Sequence, residues 1–186
     1  MPSLIDMRRR IRTVRNTQQI TKAMKMISAA RLRRAQDRVF NARPYATLLR
    51  EVIESLAARI ESPAHPLLAR RPPERLLAVV LSGDRGLCGA SNTNIVRATE
   101  RFLAEHNKEQ VELVLVGRKA RDYYRRRGRP IHREFVQIFS RLDFTHAREI
   151  AADVIASYEE AKTDGVLLIY NEFKSILSQL VVVEQL

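Results

Sequence analysis

Glycine is missing from the first 82 residues; all six glycines lie at or after Gly83. Over the first sixty residues only Pro2 and Pro44 could break a helix. Cysteine is nearly absent too. Cys88 stands alone, which excludes an intramolecular disulfide and fits a reducing compartment. The longest apolar run, Leu76 to Leu81, falls far short of the roughly 18–20 residues that a membrane helix needs. Met1 to Arg10 turns basic at once without an apolar stretch, so no signal peptide is expected. Acidic residues are outnumbered, 21 against 33 Lys and Arg, for a net charge of +12. That excess favours an acidic partner: nucleic acid, an anionic membrane or an acidic protein surface.

What is present divides into three parts. Pro2 and Ser3 open a helix that the pattern carries from about Leu4 to about Ile60, with Pro44 as the place for a kink. Alternating steps of three and four residues trace an apolar seam at both ends: Met7, Ile11 and Val14, then Leu49, Ile53, Leu56 and Ile60. This is the pattern of a coiled coil. Mid-helix the seam turns polar or small, and a second stripe, Ile20, Met24 and Ile27, runs one position earlier. One position is about 100° of turn. The stripe is either ordinary drift of the helical period or a face turned toward a second partner.

Residues 1–61 are thus assigned to the long helix and 62–75 to a linker containing four prolines; residues 76–186 form an α/β domain. In that domain strands are expected at Leu76–Ser82, Val111–Gly117, Ile131–Val136, Val166–Phe173 and Leu180–Leu186. Helices are expected at Ser91–His106, Lys119–Arg127 and Thr145–Lys162. Alternation of strand and helix predicts a mostly parallel, Rossmann-like sheet, with the last two strands antiparallel across Lys174–Gln179.

Candidate chemistry is sparse. Gly83, Gly86 and Gly89 follow the first strand, where a nucleotide-binding fold carries its phosphate loop. The spacing is not that of a dinucleotide fingerprint, no lysine follows Gly89, and the second strand ends in Gly117-Arg118-Lys119 without an acid. A tight turn is expected instead, with Asp84 and Arg85 in local hydrogen bonds or facing a neighbour. His65, His106, His132 and His146 fall in separate segments without metal-ligand spacing to Cys88. No catalytic, cofactor or metal site is expected. The basic runs Met7–Arg15, Ala30–Arg38 and Arg118–Arg129 dominate the chemistry and suit an acidic surface. A basic helix leading into a heptad seam is also the layout of a basic-zipper nucleic-acid reader. Against that alternative stand Pro44, the small Ala42 and Ala46, and the attached α/β domain.

The stretches Asn16–Arg38, Ala42–Ala46 and Ser82–Asn94 resemble, in order and separation, the gamma subunits of F-type ATP synthases, and Tyr170–Gln179 also resembles the family's segment there. The resemblance covers essentially the whole sequence. It implies a non-catalytic central-stalk rotor that couples proton flow to ATP synthesis or hydrolysis on a hexamer of alpha and beta subunits. The implied partners are alpha, beta, epsilon and the ring of c subunits, with no specific nucleic acid and no cofactor. It implies a peripheral position on the cytoplasmic face of a bacterial plasma membrane, or the equivalent face of an organelle membrane. It makes Lys22, Met24, Lys25 and Ile27 part of the segment that meets acidic loops of beta. Arg31, Arg33, Arg34, Asp84 and Arg85 join them as interface candidates. The family carries a second long helix after the sheet; this sequence stops at Leu186, so that shaft helix is expected to be absent.

Overall fold

A computed structural model describes residues 3–59, 65–69, 71–106, 110–175 and 178–186. The chain divides into two compact units, within residues 1–62 and 63–186.

The first unit is one helix, α1 (Leu4–Ala57), of 54 residues, about 80 Å long at the usual rise per residue. Ser3 caps it. Its Oγ accepts from the Asp6 N–H at 3.3 Å, while Asp6 accepts from the Ser3 N–H at 3.2 Å, a reciprocal box that satisfies two orphan donors. Thr13 and Thr17 turn their hydroxyls back onto the carbonyls of Arg9 and Thr13, so these β-branched residues sit in the helix without stray donors. The helix continues on both sides of Pro44, which has no N–H to give to Phe40. It stops at Ala57 rather than near Ile60, with the Ala58 N–H closing on the Glu54 carbonyl at 3.0 Å. Ile60 lies outside the described residues.

The second unit contains β1 (Leu76–Leu81), α2 (Ser91–Glu105), β2 (Val111–Val116), α3 (Arg118–Arg125), β3 (Ile131–Phe135), α4 (Phe144–Glu159), β4 (Gly165–Phe173) and β5 (Gln179–Gln185). Short 3-10 turns occur at Pro66–Leu68 and Ile138–Ser140. The strand order is β3-β2-β1-β4-β5. The first four are parallel and β5 runs antiparallel to β4. This is the expected α/β architecture: a long N-terminal helix followed by a Rossmann-like, mostly parallel sheet.

LLAVVL and VELVLV are nearly continuous apolar runs because both faces of the central strands are covered. One face packs Ala78, Val80, Leu113, Leu115 and Ile169 against Ile95, Phe102 and Leu103 of α2 and Tyr124 of α3. The other packs Leu77, Val79, Val114 and Val116 with Phe135 of β3 against Val154 of α4. Two helices end earlier than the sequence suggests. α4 stops at Glu159 because Ala161 adopts a left-handed φ of 53°, and α3 stops before Gly128 at φ 61°.

At the base of β1 and β4, Arg75 holds Asp164. The Arg75 N–H and Nε both reach Oδ2 at 3.0 Å and NH2 reaches Oδ1 at 2.7 Å. The Thr163 hydroxyl donates to the Arg75 carbonyl at 2.9 Å. These bonds fix where β4 enters the sheet.

Candidate functional site

The long helix presents its candidate residues without covering any. No residue of α1 is buried. The seam residues Met7, Ile11, Val14, Leu49, Ile53 and Leu56 are each between 45% and 66% exposed. So are the second-stripe residues Ile20, Met24 and Ile27, at 61%, 47% and 54%. Lys22, Lys25, Arg31, Arg33 and Arg34 are exposed, and among the described residues none of them makes an ion pair or side-chain hydrogen bond. α1 therefore carries a long exposed apolar stripe beside these five cations, more apolar surface than an isolated helix can cover by itself.

The third basic run behaves differently. Arg121 pairs with Asp122 at 2.7 Å, Arg125 with Glu134 at 2.6 Å and Arg129 with Glu100 at 3.2 Å. Arg127 stacks on the Tyr123 ring at 3.6 Å. Arg121 holds the Asp122 carboxyl below the usual carboxylate range through a direct hydrogen bond. Four arginines of this run are therefore committed within the α/β unit, which the sequence did not reveal.

The turn after β1 sits in the middle of the sheet, where the chain goes to β2 on one side and β4 on the other. Its inner side is consumed by structural bonds. The Gly83 N–H donates to Asn92 Oδ1 at 2.8 Å, so the first glycine amide is already occupied. The Ser82 hydroxyl accepts from the Ala120 N–H at 2.9 Å, and the Gly83 carbonyl accepts from Lys119 at 3.1 Å. Asp84 Oδ1 takes the N–H of Arg118 at 3.0 Å and of Gln137 at 2.9 Å, and Oδ2 that of Phe139 at 3.4 Å. One carboxylate thus ties the turn to the start of α3 and to the segment after β3, where Gln137 is left-handed at φ 64°.

The outer side of the turn is bare. Arg85 is exposed, and Leu87 is 96% exposed at a left-handed φ of 61°. Holding a leucine in that conformation is uncommon and costs strain. Cys88 is exposed, with Asn92 Nδ2 donating to its Sγ at 2.9 Å. Of the two turn residues singled out, Asp84 braces the domain and Arg85 faces outward. Leu87 was not singled out, because its backbone conformation cannot be read from LCG.

No group of His, Cys, Asp and Glu suited to a metal occurs among the described residues. His132 lies between Glu112, 3.1 Å from Nδ1, and Asp153, 3.4 Å from Nε2. Arg133 also reaches Asp153, at 2.8 Å. A register shift between β2 and β3 accompanies this crowding on α4.

A family model described as ATP synthase matches residues 3–186. The chain is 51% identical over 183 residues to the ATP synthase gamma chain of Solibacter usitatus, spanning 96% of this chain and 64% of that relative. It is 50% identical over 179 residues to the ATP synthase gamma chain of Desulfitobacterium hafniense, spanning 96% of this chain and 63% of the relative. It also superposes, at a TM-score of 0.72 and 32% identity, on a chain in the cryo-EM structure of the Tetrahymena thermophila mitochondrial ATP synthase central stalk and c-ring. That match covers 90% of this chain and 71% of the other. The chain thus spans just under two thirds of the length of these curated relatives.

Proposed function

The chain belongs to the ATP synthase gamma-chain family, and from that premise we propose that it is the central-stalk rotor part of a proton-translocating F-type ATP synthase. The observation that carries the reading is the 54-residue helix with no buried residue, on which Lys22, Lys25, Arg31, Arg33 and Arg34 have no partner among the described residues. Such a helix needs an enclosing sleeve, and a hexamer of alpha and beta subunits supplies one. The polypeptide itself is non-catalytic. Torque arrives from a ring of c subunits, with epsilon beside the α/β unit, at the membrane face of the complex. As the shaft turns, its unequal faces meet each beta subunit in turn. Each face favours one beta conformation over the others, and only that differential binding can shift nucleotide affinity.

Lys22, Met24, Lys25 and Ile27, followed by Arg31, Arg33 and Arg34, are assigned to contacts with acidic loops of beta. Arg85 is assigned to the same surface. The seam residues Met7, Ile11, Val14, Leu49, Ile53, Leu56 and Ile60 are assigned to coiled-coil packing. The test is reconstitution. The purified chain should not hydrolyse ATP alone, and should join alpha and beta hexamers one to one in size-exclusion chromatography with light scattering. Failure to join the hexamer, or ATP turnover by the chain alone, would reject the reading.

A further inference from the structure

The two edges of the sheet are not alike. β3, at one edge, follows Pro130 and carries His132, Arg133 and Glu134, the charges and proline that keep an edge from recruiting another strand. β5, at the other, reads QLVVVEQ, with no lysine, arginine or proline. Its one charge, Glu184, accepts from the Tyr170 hydroxyl at 3.1 Å. β5 pairs only with β4 among the described residues.

The register says which groups face outward. Leu186 donates to the Val166 carbonyl at 3.0 Å, just beyond the pairing of Leu167 with Gln185. In an antiparallel ladder bonding alternates. Glu184, Val182 and Leu180 therefore bond to β4, while Val181 and Val183 send their N–H and C=O groups to the open side. The same two residues turn their side chains toward α2, where they floor a groove of about 470 Å³ with Phe102. Asn94, Arg97, Arg101 and Glu105 line it from α2. Val183 is 43% exposed. Arg97 and Arg101 are exposed and have no ion-pair or hydrogen-bond partner among the described residues.

Free backbone groups, an apolar floor and two unpaired cations thus converge on one line. We propose that β5 is a docking strand for an extended acidic segment of a partner protein. The segment adds to the sheet along Val181–Val183 and sets its carboxylates against Arg97 and Arg101. Main-chain bonds supply affinity in this mode, and side chains at alternate positions supply selectivity. A second copy of this chain fits poorly. Pairing β5 with itself would place both α2 helices on one face and bring the Arg97 and Arg101 pairs of the two copies together. The inference stands on the β5 edge and the groove beside it and does not depend on the rotor reading.

The test uses the whole chain and two fluorescein-labelled peptides, one alternating valine with glutamate and the other valine with lysine. Fluorescence anisotropy should show the glutamate peptide binding and the lysine peptide not. Amide exchange at Val181 and Val183 should slow on binding. Reversing both charges, Arg97→Glu with Arg101→Glu, should weaken the glutamate peptide by about tenfold, as expected for two exposed ion pairs. Val183→Pro removes an N–H that the β4 ladder does not use, and should abolish binding with an unchanged melting temperature. If that variant does not fold, a glutamate peptide methylated on alternate backbone nitrogens replaces it and should fail to bind. Equal binding of both peptides, or undiminished binding of the methylated one, overturns the proposal. Self-association of the chain that the glutamate peptide cannot displace would assign the edge to a second copy and likewise overturn it.

Discussion

A Cβ placed on Gly117 would stand 2.1 Å from the carbonyl oxygen of Ser82. Gly117 also has a φ of 96°, which side-chain-bearing residues rarely adopt. The two residues close the C-terminal ends of β1 and β2 onto one another. There the Ser82 N–H donates to the Val116 carbonyl at 2.8 Å, and Gly117 starts α3. Gly117→Ala is therefore expected to destabilise the α/β unit by about 3 kcal/mol or more, combining overpacking with backbone strain. Urea unfolding followed by tyrosine fluorescence measures it. A loss under about 0.5 kcal/mol, the range of an ordinary surface change, would mean the turn relaxes freely.

Asp164 sets a pH dependence. The hydrogen bond from the Arg75 guanidinium holds its carboxyl below the ordinary carboxylate value, against a smaller opposing effect of burial. A group depressed in the folded state stabilises above its unfolded pKa and loses that contribution as pH falls through the folded value. Wild type should therefore exceed Asp164→Asn in melting temperature at neutral pH. The gap should narrow as pH drops below about 4, the unfolded carboxylate range. A gap that stayed constant down to strong acid would remove the ion pair from the account.

The long helix should be separable from the sheet in its energetics. Lys22→Glu, Lys25→Glu and Arg31→Glu change exposed side chains without partners among the described residues. The melting temperature of the α/β unit should not move, and its stability should stay within about 0.5 kcal/mol. Affinity for the alpha and beta hexamer should fall by about tenfold or more, because positive groups would be replaced opposite acidic loops. Sedimentation with the hexamer measures one effect and calorimetry the other.

The positive helix should also bind DNA only as a polyelectrolyte. Affinity should be indifferent to sequence and should collapse between low and physiological salt. A footprint on one sequence that survives physiological salt would favour the basic-zipper alternative.

The elements were legible where local physics decides them. LLAVVL and VELVLV could only be strands buried on both faces, and a glycine-free, Ser3-capped run could only be a long helix. The end of α4 was not legible, because an alanine at φ 53° leaves no compositional mark. Asp84 was seen, but its partners lie 34, 53 and 55 residues away, so its bracing role appears only once the sheet is folded. The Arg118–Arg129 run looked like a free positive surface for the same reason. Glu100 and Glu134, which neutralise two of its arginines, come from α2 and β3. The open edge at β5 depends on strand order, which no local pattern encodes.

Rotation is the most direct measurement. Cys88 is the single cysteine here and is exposed, so it can carry a biotin and a bead. The complex would be assembled from the natural gene product bearing these residues and cysteine-free alpha and beta subunits, fixed to glass by the hexamer. On adding ATP, the bead should turn steadily in one direction, with pauses that lengthen as ATP becomes scarce. ATP turnover at full rate while the Cys88 bead stays still relative to the hexamer would contradict the account.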